Sequence, residues 1–192
     1  MKTKPSISVV IYPITFLLLF LALWQTADWI WKIPRILLPS PWEIITVSVQ
    51  RIDDLLSATL ISAQAALAGF ALALVIGTTL GLLFSVSKIA RRGVYPYMIF
   101  LQTVPIVAIA PLIIIWFGGG MASIIVIVTV ISLFPIVTNV TTGLRSVDTG
   151  LLDLMILYRA APHQVLFKVR LPNAIPYLIT GAKISSGLTI VG

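Results

Sequence analysis

Few side chains in this 192-residue sequence can carry covalent chemistry. There is no cysteine, which excludes disulfides, thiol nucleophiles and Cys-ligated zinc or iron–sulfur centres. The single histidine, His163, leaves no polyhistidine metal site within one chain. The six carboxylates, Asp28, Glu43, Asp53, Asp54, Asp148 and Asp153, lie outside the clean apolar runs, and none forms a dyad with a nucleophile. Gly118 to Gly120 lacks the Lys that follows in a phosphate-cradling loop, so the chain is not expected to hydrolyse ATP, to act as an enzyme or to hold a cofactor or metal. The polar groups with most at stake lie inside apolar runs. Gln64, Gln102 and Asn139 are costly to bury in hydrocarbon, and Lys183 falls about eleven residues past Pro172, near mid-membrane if Pro172 starts a span. These four are candidates for lining a solute pathway. Pro105, Pro111 and Pro135 free backbone carbonyls nearby, a pattern compatible with a cavity or with a simple kink.

The elements that must position these groups follow from composition. Apolar residues make up 59% of the chain and charged residues 10%, with a mean hydropathy of +1.09, too apolar for a water-solvated domain. The expectation is an all-α membrane protein, a bundle of about five transmembrane helices. A first span covers Ile7 to Ala27, with Trp24, Trp29 and Trp31 as an interfacial belt. Pro34, Pro39 and Pro41 then prevent a continuous helix, and Trp42 to Gln50 reads as a short helix lying along the surface. Leu55 to Ser87 carries no charge, and Gly69, Gly77 and Gly81 interleave with alanines at a spacing that lets helix backbones approach closely. Gly93 to Leu144 reads as a hairpin: Tyr95 to Phe117 across, the three glycines as a turn, Met121 to Gly143 back. A fifth span begins near Pro172. Residues 1–54 are thus an N-terminal span plus a periplasmic surface segment, and residues 55–192 a core with a cytoplasmic loop at 146–171.

The net charge of +7 follows topology rather than nucleic acid, because the cations sit between apolar runs where an anionic leaflet attracts them. Lys2, Lys4, Lys88, Arg91, Arg92, Arg145, Arg159, Lys168 and Arg170 fall on one side if the N-terminus is cytoplasmic. Lys32, Arg35 and Arg51, on the other side, are offset by Asp28, Glu43, Asp53 and Asp54.

Ser146 to Leu171 is long for a connector and has its own apolar pattern at three- and four-residue spacing, in Leu151, Leu154, Met155 and Tyr158 and then in Val165, Leu166 and Val169. Asp148 or Thr149 is placed to cap a first short helix, and Pro162 suits the first turn of a second. Two amphipathic helices outside the membrane offer one apolar face to the bundle and another to a partner protein.

Ile156 to Gly187, reading ILYRAAPHQVLFKVRLPNAIPYLITGAKISSG, resembles the coupling-loop region of permease subunits of bacterial ATP-binding-cassette importers. It is most similar to the group serving nitrate, sulfonates, taurine, thiamine-precursor pyrimidines and riboflavin. LPSPWEI at Leu38 to Ile44, ATLISAQAALAGFALALVIGTTLG at Ala58 to Gly81 and PIVAIAPLIIIWFGGG at Pro105 to Gly120 agree in the same order. The resemblance implies an inner-membrane location, a second permease copy forming a homodimer in the lipid, two ATPase subunits and an extracytoplasmic substrate-binding protein. It also implies that the loop docks into a groove of the ATPase through a Glu-Ala-Ala triplet, a Gly and a Leu-Pro pair. Anchored on Leu171 and Pro172, the triplet falls on Asp153, Leu154 and Met155 and the motif Gly on Arg159, with Ala160 after it and Tyr158 before it. Arg in place of Gly implies either a continuous helix there or a differently shaped dock.

The resemblance around Lys168 to Ile184 favours a vitamin or precursor such as riboflavin or a thiamine pyrimidine, with sulfonate or nitrate next. It further implies more chain beyond the position of Gly192, so a C-terminally truncated permease is expected. A stand-alone secondary transporter or channel is the alternative; it would need an inverted repeat or an intramembrane acid, and neither is evident. A mere membrane anchor would not need the long charge-free hairpin or a structured loop.

Overall fold

The computed structural model describes residues 8–32 and 34–191. Lys2, Lys4 and Ile7 lie outside the described residues. The chain forms two compact units, Met1–Thr59 and Leu60–Gly192.

In the first unit, α1 (Ser8–Trp31) runs past the expected end at Ala27 through Asp28 to Trp31, while Trp29 and Trp31 remain exposed. The prolines that follow end the helix, and α2 (Pro41–Gln50) starts with Pro41 in its first turn and Ser40 as its cap. The Ser40 hydroxyl accepts from the Glu43 amide at 3.2 Å, satisfying one of the free N–H groups of the helix start. The Trp42 amide donates to Gln25 Oε1 at 3.2 Å, which ties α2 back to α1, and Arg35 of the intervening segment pairs with Glu43 of α2 at 3.1 Å.

Helix α3 (Ile52–Val86) has 35 residues and carries Asp53 and Asp54 in its first turn, where a helix dipole favours acids. From Leu60 onward it belongs to the second unit, with α4 (Lys88–Thr103), α5 (Ile106–Phe117), α6 (Met121–Arg145), α7 (Thr149–Leu157), α8 (Pro162–Val165) and α9 (Leu171–Thr189). The described residues contain no strand, and α1, α3 and α6 are each long and apolar enough to cross a membrane. The chain is an all-α membrane protein, as its composition implies.

The core of the second unit is α6, gripped on two faces by small residues. Ala65, Gly69, Ala73, Gly77 and Gly81 of α3 are buried at four-residue spacing, one stripe of a helix. A Cβ at Gly77 would stand 2.7 Å from Ile136, and one at Gly81 would stand 2.6 Å from Val140, so backbone and side chain are already in contact. The Thr129 hydroxyl lies 3.1 Å from the Gly69 carbonyl, a polar tie that only such an approach allows. On the other face, Gly143 receives Tyr177 of α9 and Gly181 receives Asn139. Ser185 donates to the Ser132 carbonyl at 2.8 Å, and Asn173 Nδ2 donates to the Gly143 carbonyl at 2.7 Å.

One expectation is corrected. The stretch Tyr95 to Phe117 is not one helix, because α4 ends at Thr103 and α5 starts at Ile106. Pro105 has no N–H to continue the ladder and holds Val104 extended, at φ −78° and ψ 123°. Pro111 and Pro135, by contrast, lie inside continuous helices. Helix α9 starts at Leu171, beside Pro172, and is entered from helix rather than from a loop. Helix runs from Pro162 to Thr189 through a π-helical turn at Leu166–Arg170, in which the Leu171 amide reaches back to the Leu166 carbonyl. The wider turn makes room for the Pro172 ring, which has no N–H to donate and would crowd the Lys168 carbonyl in an α-helix.

Candidate functional site

The segment between α6 and α9 is held by its own backbone chemistry. Asp148 is the cap of α7, its carboxylate accepting from the amides of Gly150 at 2.7 Å and Leu151 at 3.3 Å. At the far end the Ala160 amide donates to the Met155 carbonyl and the Arg159 amide to that of Ile156, both at 2.9 Å. This pair of bonds is the Schellman ending, which needs a left-handed residue just past the cap. That residue is Arg159, at φ +50°. A continuous helix through Arg159 therefore does not form; the backbone keeps the geometry glycine would supply, at a steric cost of about 1–2 kcal/mol for a residue with a Cβ. Pro162 opens the next helix as expected, and Gln164 Oε1 accepts from the Ala161 amide at 2.9 Å.

Between these two ends α7 divides its apolar residues. Leu152 and Met155 are half-buried, while Leu154, Ile156, Leu157 and Tyr158 are exposed, Leu157 at 77% and Tyr158 at 75%. Of the residues expected to meet a partner, Asp153, Leu154, Tyr158, Arg159 and Pro172 are exposed, and Met155 and Ala160 are half-buried. Leu171 packs against the core cluster of Ala73, Ile136, Val140, Leu144 and Ala174. His163 is exposed at the start of α8, and no group of metal-ligating side chains forms among the described residues.

The four polar residues within apolar segments do not converge. Asn139 Nδ2 donates to the Pro135 carbonyl at 2.8 Å, one turn back on its own helix, so its amide is occupied within α6. Gln64 and Lys183 are exposed on α3 and α9. Gln102 lies at the α4–α5 break and lines a cavity of about 390 Å³ with Thr103, Pro105, Phe134 and Leu188. No charged side chain lines this cavity. Its size suits a small organic solute.

One cluster was not evident from the sequence as a site. Lys88 and Arg91, at the start of α4, meet Arg145 of α6 and Arg170 of the π-helical turn around a second cavity of about 300 Å³. These residues read singly as loop charges; only the fold brings positions more than fifty apart together. Their convergence places the α3–α4 turn and the α6–α9 segment at one end of α6, with Gly118 to Gly120 at the other.

Comparison with known proteins adds to this geometry. Residues 73–192 match the family model described as binding-protein-dependent transport system inner membrane component. The chain is 29% identical over 181 residues to a formylaminopyrimidine transport permease of Halalkalibacterium halodurans, covering 94% of this chain and 72% of that protein. It is 32% identical over 187 residues to a riboflavin transport system permease of Chloroflexus aurantiacus, covering 94% and 68%. A putative aliphatic sulfonates transport permease of Bacillus subtilis is 31% identical over 174 residues, covering 90% of this chain and 63% of its own length.

Proposed function

The chain belongs to the binding-protein-dependent transport system inner membrane component family, and from that premise we propose that it is the permease subunit of an ATP-driven importer with α7 as its docking element. The observation that carries this reading is the exposed apolar side of α7, a helix capped at both ends and set between two spans. Exposed Leu154, Ile156, Leu157 and Tyr158 in an aqueous segment need a partner surface, and an ATPase groove supplies one. Closure of the ATPase subunits on ATP then moves α7, and the unbroken helix from Pro162 to Thr189 transmits that movement to the bundle. Asp153, next to Leu154 on α7, is the acid that meets the partner at the rim, and Arg159 reaches an acidic patch. A second copy of the chain completes the pathway, and an extracytoplasmic binding protein delivers the solute. The N-terminus is cytoplasmic on this reading, since the cations gathered around Arg145 then face the anionic leaflet.

For substrate we favour a weakly charged heterocycle, a vitamin or precursor of the riboflavin or pyrimidine kind, over a sulfonate or nitrate. Its support is the cavity at the α4–α5 break, lined by Gln102 and Thr103 among apolar side chains and by no cation. Binding of a pyrimidine or flavin by the partner binding protein, measured by calorimetry, sustains this choice; selective binding of a sulfonate refutes it. The coupling role is tested by replacing residues 151–158 with a Gly/Ser stretch. Co-purification of the ATPase subunit is then lost while the chain still inserts in the membrane, and retained coupling removes the assignment.

A further inference from the structure

We propose that the cations at the α4–α6 junction form a binding site for a phosphate oxyanion, occupied by the headgroup of an anionic phospholipid. Arg91 and Arg145 line two cavities at once. In the first, of about 300 Å³, they are joined by Lys88 and Arg170. In the second, of about 760 Å³, they are joined by Arg92 and by Thr138 and Thr141.

Among the described residues no carboxylate lines either cavity. Asp148 and Asp153 are the only acidic side chains in residues 60–192. Asp148 already accepts two amides as the cap of α7. Among the described residues the one ion pair joins Arg35 to Glu43, in the other unit. Like charges held around one void repel, and an anion seated between them removes that cost.

The hydroxyls of the second cavity point the same way. Thr142 and Ser146 donate to carbonyls of their own helix, the ordinary outcome for such residues. Thr138 and Thr141 do not: both hydroxyls are buried without a partner, and Thr141 is 7% exposed. A phosphate oxygen between Arg91 and Arg145 supplies the acceptor they lack. A lipid is the favoured source because the cavity wall continues onto Tyr95 and Pro96, and an amphipathic ring of this kind is favoured at headgroup level.

The test uses the full chain, purified and analysed by native mass spectrometry after incubation with phosphatidylglycerol or phosphatidylcholine. Retention of phosphatidylglycerol is expected to exceed that of phosphatidylcholine, to fall about tenfold in Arg91→Gln/Arg145→Gln and to fall less in Thr141→Val. It should not change in Arg159→Gln/Lys168→Gln, which removes the same charge outside the cavities. A second arm titrates inorganic phosphate in lipid-free detergent; saturable binding with the same dependence on the variants identifies a soluble phosphate as the source and keeps the site. Equal losses in the two double variants, or no preference for phosphatidylglycerol together with no phosphate binding, overturn the proposal. If the Arg91/Arg145 pair does not fold when neutralised, Arg145→Gln and Thr141→Val singly decide, and undiminished retention in both overturns it.

Discussion

Helices α6 and α7 are both rich in large aliphatic residues, yet α6 fully buries many of them and α7 leaves most of its own exposed. The difference lies in the neighbours. Facing α6 are Gly69, Gly77 and Gly81 on one side and Gly181 and Ser185 on the other, so its Val and Ile side chains meet backbone. Among the described residues no glycine of another helix packs against α7, whose ends are set by the Asp148 cap and the left-handed turn at Arg159. Apolar content alone therefore does not distinguish a helix that builds the bundle from one that displays a surface. The size of what lies opposite does.

The contrast breaks most severely at the small-residue stripe. Gly81→Leu puts new atoms where a Cβ already meets Val140 at 2.6 Å, and the overpacking is expected to cost about 1–3 kcal/mol, read as a lower midpoint in detergent unfolding. Leu154→Glu is the opposite case. It should leave that midpoint unchanged, since Leu154 is exposed at 47%, yet weaken ATPase association by about 2 kcal/mol or more, as loss of a central interface anchor does. A similar fall in stability for Leu154→Glu would mean that α7 belongs to the core. Smaller effects follow at the ends of α7. Asp148→Ala removes the cap and should cost about 1 kcal/mol, visible as faster amide exchange at Gly150 and Leu151. Arg159→Gly relieves the positive φ and should slow exchange at Ala160, a gain of up to about 1 kcal/mol.

Much of the bundle is legible from residue types. Runs without charge locate α3 and α6, and the four-residue spacing from Ala65 to Gly81 identifies the side of α3 that packs, because only small residues permit that approach. The cap at Asp148 and the start at Pro162 are equally local signals. Pro105, Pro111 and Pro135 look alike in sequence, but α6 is clamped between α3 and α9 across Pro135, whereas α4 and α5 separate at Pro105. The π-helical turn before Pro172 answers a conflict between proline and a continuous helix that either a break or a bulge can resolve. Arg159 shows the limit of reading conformation from residue type: the hydrogen bonds of the Schellman ending impose on it the φ that glycine would adopt freely. The convergence of Arg91 with Arg145 depends on tertiary structure entirely.

The central claim, that α7 is the surface through which an ATPase drives this bundle, is open to one direct measurement. The chain has no cysteine, so Tyr158→Cys provides a single thiol in an otherwise unreactive background. In membranes that contain the importer's ATPase subunit, this thiol should cross-link to the ATPase through a short bifunctional reagent, with a yield that changes when ATP is bound. Phe117→Cys, beside the glycine turn at the other end of α6, should give none. Cross-linking from Phe117→Cys, or its absence from Tyr158→Cys in a complex that still transports, would contradict the account.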